Sequence, residues 1–192
     1  MICNERGVKN PSQYFFFSPS EGFLKYNYGI MNLGHFYCQF GYRIERKGNA
    51  LPLFIYIVDG EFHLNYDSKH YIGNSGDILL INCSKPHTYY VENNCEFLYF
   101  HFIGNSAVQV TEHLIQKNNS PLFQIKNTLQ LYQSLNDTIS KLYYSQTVHD
   151  VELSCLVYQC LCTLQATEDI FTTEKYSLQG TTQGRYLTGG VP

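Results

Sequence analysis

Histidine and carboxylate side chains are the groups in this sequence that are best suited to metal chemistry. The seven histidines stand at positions 35, 63, 70, 87, 101, 113 and 149. No two of them are separated by a single residue, although metal-binding barrels typically use a His-x-His strand with a carboxylate close by. The best available cluster joins Glu61 and His63 on one strand face to His87 and His101 on neighbouring strands. Ordinary surface or core histidines explain these positions more simply, so we predict no metal and no other cofactor.

Other kinds of active site find little support in the sequence. It contains no Gly-x-Ser-x-Gly elbow for a serine nucleophile, and neither of the glycine-rich motifs that cradle phosphates. The seven cysteines include no Cys-x-x-Cys pair and accompany no export signal, so we expect reduced, mostly buried thiols. We therefore predict that the chain is not an enzyme.

Aromatic residues with polar tips converge on two predicted strands. The chain has 17 tyrosines and 13 phenylalanines but no tryptophan. Side chains alternate along a strand, so His87 shares a face with Tyr89, and Tyr99 shares a face with His101. If both faces point into a barrel, they form an apolar wall with a few hydrogen-bonding groups, which is the usual composition of a small-molecule pocket. The spacing is equally compatible with tyrosines that merely fill the barrel.

Short strands are the elements expected to position these residues. From about residue 12 to residue 104, apolar clusters are interrupted by Gly, Asn, Asp, Ser or Pro about every eight to twelve residues. One such cluster, residues 53–58, is followed by Asp59-Gly60, which predicts a two-residue hairpin turn. So many closely spaced short strands indicate a sandwich or a barrel.

After residue 104 the apolar period becomes helical. We expect one helix from about residue 105 to residue 117, a second opened by Asn127-Thr128, and a third that carries a regular apolar stripe. That stripe consists of Leu153, Leu156, Val157, Cys160, Leu161 and Leu164. The last two helices are predicted to form an antiparallel helical hairpin. The stripe is compatible with a dimer interface and equally with packing on the barrel and the preceding helix.

Charge and hydropathy exclude several kinds of partner. Lys and Arg number 13 against 16 Asp and Glu, giving a net charge of −3, so no basic field exists to hold nucleic acid directly. The longest apolar run, residues 51–58, is too short for a membrane span. The N-terminus lacks the apolar core of a signal peptide, so we expect a cytoplasmic protein with no membrane partner.

A longer motif carries a family resemblance. Residues 76–89 read GDILLINCSKPHTY and residues 97–104 read FLYFHFIG. Together with Arg46, the strand at 53–58 and the turn at 59–61, they resemble the N-terminal sensor domain of AraC-type transcription regulators, over about residues 33–166. The resemblance implies a cupin-like jelly-roll β-barrel that binds a sugar or another small effector without metal. It also implies a homodimer formed through the C-terminal helices.

The resemblance also suggests roles for single residues. Arg46 matches the effector-binding arginine of the family, and Tyr89 matches its pocket tyrosine. Tyr99 falls where the best-known member has a tryptophan that stacks on the sugar, so the stacking face here is smaller. With His87 and His101, these residues make up the predicted ligand-binding set.

The predicted organisation follows from both lines of reasoning. We expect an N-terminal arm at 1–20, an effector-binding barrel at 21–104, a helical dimerisation region at 105–171 and a poorly ordered tail at 172–192. The helix-turn-helix units of the family are absent from this sequence, so DNA contact would require a domain outside this chain. The alternative from another class is a metal-dependent cupin enzyme, an isomerase or dioxygenase, that uses Glu61, His63, His87 and His101.

Overall fold

The fold is mainly β with helices at its C-terminal end, as the sequence predicts. A computed structural model describes residues 5–48 and 51–165 of the chain. Its strands are β1 (Val8–Phe16), β2 (Gly29–Cys38), β3 (Arg43–Arg46), β4 (Leu53–Gly60), β5 (Phe62–Tyr66), β6 (Lys69–Gly73), β7 (Ile78–Ile81), β8 (His87–Tyr90), β9 (Cys95–Ile103) and β10 (Leu122–Phe123). Its helices are α1 (Glu21–Leu24), α2 (Ala107–Asn118), α3 (Leu129–Tyr143) and α4 (Asp150–Gln165).

Two antiparallel sheets make up the barrel. The six-stranded sheet has the order β1-β2-β9-β4-β7-β10, and the four-stranded sheet has the order β3-β8-β5-β6. Side chains from both sheets, among them Phe36, Phe62, Leu64 and Phe97, form one buried cluster between them. This arrangement is the cupin-like barrel that the sequence predicts, and its interior is bounded by both sheets.

The central strands of the larger sheet are covered on both faces. In β4, Leu53 and Ile55 point into the cluster between the sheets, whereas Phe54 and Tyr56 belong to a second cluster on the outer face. That second cluster contains side chains from α2, α3 and α4. Because both faces of β4 are buried, its sequence is a continuous apolar run rather than an alternation of polar and apolar residues.

The apolar stripe of α4 packs within this second cluster. Its six members, Leu153, Leu156, Val157, Cys160, Leu161 and Leu164, are each at most 5% exposed within a single chain. Of the two roles that the spacing left open, packing on the barrel and on α3 therefore accounts for these side chains in this structure. If the chain forms a dimer through its helices, side chains outside this stripe must therefore contact the second copy of the chain.

The predicted hairpin at Asp59-Gly60 is wrong. Strand β4 pairs with β7 and β9, whereas β5 pairs with β6 and β8, so the chain passes from one sheet to the other at this point. Gly60 has a φ of 84°, and a Cβ there would collide with the carbonyl oxygen of Asn94. The glycine is needed for this crossing between sheets and not for a hairpin turn.

The predicted segments map onto these elements in different ways. Residues 8–16 of the predicted arm form β1, which pairs with β2 at the edge of the larger sheet. Helices α2, α3 and α4 lie within the predicted region 105–171, and the predicted tail at 172–192 lies outside the described residues. No helix in the described ranges is long and apolar enough to cross a membrane.

Candidate ligand-binding site

A cavity of about 290 Å³ lies between the two sheets. Strands of both sheets and the segment before β1 contribute to its wall. The lining residues are Glu5, Tyr14, Phe16, Asn32, Phe36, Tyr42, Ile44, Arg46, Leu53, Ile55, Tyr89, Phe97, Tyr99 and His101. Four of the five residues of the predicted ligand-binding set are therefore brought to one cavity, namely Arg46, Tyr89, Tyr99 and His101.

Alternation along the strands explains why these side chains face inward. In β9, Phe97, Tyr99 and His101 occupy every second position and all three line the cavity. The same period carries Tyr42, Ile44 and Arg46 along and just before β3. Tyr42 was not among the residues predicted from the sequence. It could have been predicted, because Tyr42, Ile44 and Arg46 occupy every second position and so share one face.

Aromatic rings in mutual contact make up much of the cavity wall. The ring of Phe36 lies 5.0 Å from that of Tyr99 and 5.8 Å from that of Phe97, measured between ring centres. On the side of the smaller sheet, the ring of Tyr42, just before β3, lies 6.2 Å from that of Tyr89 in β8. Such edge and tilted contacts hold the rings in fixed positions, so the wall offers a preformed surface to a flat ligand.

His101 supplies a neutral hydrogen-bond acceptor. Its Nδ1 lies 3.0 Å from the carbonyl oxygen of Leu51, which can only accept, so Nδ1 carries the proton and donates. Burial lowers the pKa of His101, although the nearby backbone carbonyls of Leu51 and Pro52 act in the opposite direction. The imidazole is therefore neutral at neutral pH, and Nε2 holds a free electron pair that can accept from a ligand hydroxyl or amine.

The phenols of the cavity also stay uncharged. Burial is the main cause of the raised pKa values of Tyr42 and Tyr89. Both hydroxyls are consequently protonated at neutral pH and can donate or accept a hydrogen bond. The deep part of the cavity is thus neutral, and its polarity comes from hydroxyl, amide and imidazole groups.

Arg46 stands at the mouth of the cavity rather than in its depth. The residue is exposed, and its Nη1 donates a long hydrogen bond of 3.4 Å to the carbonyl oxygen of Glu45. The positive charge of Arg46 still affects groups inside the cavity. It lowers the pKa of Tyr89, against the effect of burial, and it adds to the lowering of the pKa of His101. Guanidinium donors at this position can bind oxygen atoms of a ligand that enters the barrel.

His87 is the one member of the predicted ligand-binding set that does not line this cavity. Its Nδ1 donates to the carbonyl oxygen of Lys85 at 2.8 Å, and burial lowers its pKa. Its ring lies 6.0 Å from that of Tyr89 and nearly parallel to it. In this structure the His87 ring lies beside that of Tyr89, and His87 borders a separate surface groove of about 440 Å³.

The residues of the alternative metal site do not come together. The Nδ1 of His63 lies 3.3 Å from the Nε2 of His70, and the His63 ring stacks on that of Tyr90. His87 and His101 make the backbone contacts given above, and Glu61 is exposed. Across residues 5–48 and 51–165, no three His, Cys, Asp or Glu side chains are grouped so that they could hold a metal ion.

The two buried cysteines Cys83 and Cys95 are poorly suited to act as nucleophiles. Cys83 is fully buried, and burial raises its pKa to about 12, although Arg46 lowers it in part. Burial also raises the pKa of Cys95 to about 12. Neither thiol forms the thiolate that a nucleophile needs at neutral pH.

Fold and cavity together define a cupin-like barrel with a cavity between its two sheets. The family model described as the AraC-like ligand binding domain matches residues 34–161. This match covers well over half of the chain, and the chain belongs to that family. A search of curated proteins found no match.

Several solved structures match part of this chain. The Clostridium difficile EutQ protein is 14% identical, over 40% of this chain and 59% of that chain, with a TM-score of 0.33. A cupin superfamily protein from Desulfitobacterium hafniense is 16% identical, over 50% of this chain and 80% of that chain, with a TM-score of 0.36. A cupin domain of an XRE family transcriptional regulator from Enterobacter cloacae is 15% identical, over 47% of this chain and 95% of that chain, with a TM-score of 0.35. This chain thus spans less than two thirds of the length of the EutQ protein.

Proposed function

We propose that this chain is the effector-sensing and dimerisation domain of an AraC-family transcription regulator. It binds a small polar molecule, such as a sugar or a related compound, inside the barrel and without a metal. It is not an enzyme, and it acts in the cytoplasm. The observation that carries the proposal is the cavity between the sheets, in which aromatic walls surround a few hydrogen-bonding groups.

Each type of group in the cavity has a distinct part in holding such a ligand. Arg46 donates paired hydrogen bonds to ligand oxygens at the mouth. The Nε2 of His101 accepts from a ligand hydroxyl, and the ring of Tyr99 stacks against a flat apolar face of the ligand. With a wall of preformed aromatic contacts, the site requires little rearrangement of side chains when the ligand enters.

Regulation requires a ligand that prefers one arrangement of the protein over another. Tyr14 and Phe16 of β1 line the cavity together with Glu5. A bound molecule would therefore contact the N-terminal segment as well as the barrel, and the position of that segment is the first candidate for the arrangement that the ligand selects.

Dimerisation in this proposal uses the exposed face of α4, since its apolar stripe is buried. Val151, Cys155, Tyr158 and Cys162 are all exposed and follow one another in steps of four, three and four residues. This spacing places them on one side of the helix, away from its apolar stripe, although one face of the Tyr158 ring also packs against Tyr28 at 4.9 Å. A twofold contact through this face would hold two separate helix-turn-helix domains at a fixed distance on DNA.

Thermal-shift screening of the purified chain with sugars, sugar acids and aromatic acids tests the sensor function. We expect at least one compound to raise the Tm in the presence of a chelator, and we expect Arg46→Gln and Tyr89→Ala to abolish the increase. Arg43→Gln is the matched control, because Arg43 lies on the same strand but packs over the ring of Tyr90 outside the cavity. Stabilisation that disappears with the chelator would instead favour a metal-dependent enzyme.

A further inference from the structure

Two side chains of opposite charge stand at the mouth of the cavity. Glu5 lies just before β1 and Arg46 ends β3, and both are exposed and line the cavity. Among the described residues, neither forms an ion pair, and the only hydrogen bond of the Arg46 guanidinium goes to the carbonyl oxygen of Glu45. Both charges are therefore available to a molecule that occupies the mouth.

The two charges act on the same part of the cavity. Burial is the main cause of the raised pKa of Tyr89, but Arg46 opposes that increase and Glu5 adds to it. Glu5 also contributes to the raised pKa of Tyr42, whose ring contacts that of Tyr89. The carboxylate of Glu5 and the guanidinium of Arg46 therefore both lie near enough to the buried phenol of Tyr89 to affect it, and all three residues line the same cavity.

The interior differs sharply from the mouth. It is lined by Phe36, Phe97, Leu53 and Ile55, each at most 4% exposed, and by the ring of Tyr99. Because charged groups are costly to bury, the charged part of a ligand belongs at the mouth and its apolar part belongs inside. A volume of about 290 Å³ is at the lower limit for small-molecule sites and suits a molecule with a single ring.

We propose that this cavity binds a zwitterionic amino acid with an aromatic side chain. Arg46 binds its carboxylate, Glu5 binds its ammonium group, and its ring lies against Tyr99 and Phe36. The inference rests on the proposed sensor function, because it names the ligand class of that same cavity. A simple carboxylate would pair with Arg46 but leave its apolar surface beside Glu5, and a neutral sugar would leave both charges to water.

Calorimetric titration of the complete chain with three related probes tests this assignment. The probes are L-phenylalanine, 3-phenylpropionate, which lacks the ammonium group, and phenethylamine, which lacks the carboxylate. We expect phenylalanine to bind about tenfold more tightly than either analogue, since each analogue loses one charge-assisted contact. In Glu5→Gln, we expect phenylalanine to lose its advantage over 3-phenylpropionate but to keep its advantage over phenethylamine. In Arg46→Gln, we expect the reverse. Arg43→Gln is expected to preserve both preferences.

Other outcomes separate the ligand class from the sensor function. Equal affinities for phenylalanine and 3-phenylpropionate in the wild-type chain would overturn the assignment of Glu5. Binding of arabinose or galacturonate, lost in Tyr89→Ala, with no binding of phenylalanine would overturn the ligand class but leave the sensor function standing. If none of the three probes binds and no sugar, sugar acid or aromatic acid of the thermal-shift screen binds either, both proposals are overturned.

Discussion

The ring of Tyr99 lies directly against the backbone of Gly34. A Cβ atom at position 34 would be 2.5 Å from Cε1 of Tyr99 and 2.9 Å from the carbonyl oxygen of Gln13. Gly34 is paired with Tyr99 in β9 and with Tyr14 in β1, so strands hold it on both sides. The missing side chain at this position gives the ring the space it needs, and the ring in turn forms part of the cavity wall.

Gly34→Ala is therefore expected to displace the Tyr99 ring. The added methyl group has no free volume, so we expect a loss of about 1–3 kcal/mol in the free energy of unfolding and weaker binding of any ligand that contacts Tyr99. Urea denaturation measures the first effect. Gly22→Ala is the control, because a Cβ at Gly22 would meet no atom within 4 Å. Equal free energies of unfolding for Gly34→Ala and the wild-type chain would contradict this expectation, because the Tyr99 ring would then move aside without loss of stability.

Buried neutral histidines predict that the protein loses stability in acid. Burial lowers the pKa of both His87 and His101, whereas an unfolded chain has histidine pKa values of about 6.5. At pH values between the lowered pKa of the folded state and about 6.5, the unfolded state binds more protons than the folded state. The neutral histidines therefore cost no stability above about pH 6.5, and the free energy of unfolding decreases as the pH falls below it. We expect the Tm to decrease from pH 7.5 to pH 5.5.

Variants at these two positions test the cause of that decrease. His87→Gln combined with His101→Gln is expected to flatten the dependence of the Tm on pH, since glutamine does not titrate. His113→Gln serves as the control, because His113 is exposed. An unchanged slope in the double variant would place the acid sensitivity elsewhere in the chain.

Local periodicity was sufficient to predict the strands but not the way they pair. The alternation of Phe97, Tyr99 and His101 placed these side chains on one face, and the structure has them lining one cavity. Whether Asp59-Gly60 turns a hairpin or carries the chain to the other sheet depends on long-range pairing with β7 and β9. A two-residue signal does not contain that information, because the same glycine conformation serves both purposes.

The site was predictable where its residues follow one another along a strand. Arg46 entered through the family resemblance alone, whereas alternation along the strands had already indicated Tyr89, Tyr99 and His101. Glu5 and Tyr14 could not be found in this way, because β1 reaches the cavity only through its pairing with β2 at the sheet edge. His87 shares a strand with Tyr89, but its hydrogen bond to the carbonyl of Lys85 holds its ring outside the cavity wall.

Leu156 distinguishes the two roles proposed for the apolar stripe of α4. It is 4% exposed and packs in the cluster between the helices and the larger sheet. Leu156→Ala is therefore expected to lower the free energy of unfolding by about 2–5 kcal/mol, whatever the protein concentration. Val151→Ala on the same helix is the control, because Val151 is 62% exposed. If Leu156→Ala left the free energy of unfolding of the monomer unchanged but prevented dimerisation, burial within the chain would be contradicted. The stripe would then be the dimer interface.

The exposed cysteines of α4 test the proposed dimer face directly. Cys155 and Cys162 lie on the same side of the helix as Val151 and Tyr158. In a twofold antiparallel contact centred between residues 158 and 159, Cys155 faces Cys162 of the partner subunit, since both are equally far from the centre. We expect mild oxidation with copper phenanthroline to join two chains covalently, and the combined variant Cys155→Ser and Cys162→Ser to abolish this product.

Cys160 provides the matched control for this experiment. It lies on the same helix but is fully buried against the barrel, so Cys160→Ala is expected to leave the cross-linked product unchanged. Sedimentation at micromolar concentration measures the oligomeric state without cross-linking, and we expect the dimer in the wild-type chain. Monomers in sedimentation together with no cross-linked product would show that this face of α4 remains uncovered, because a twofold contact through it would bring the two thiols within reach of each other.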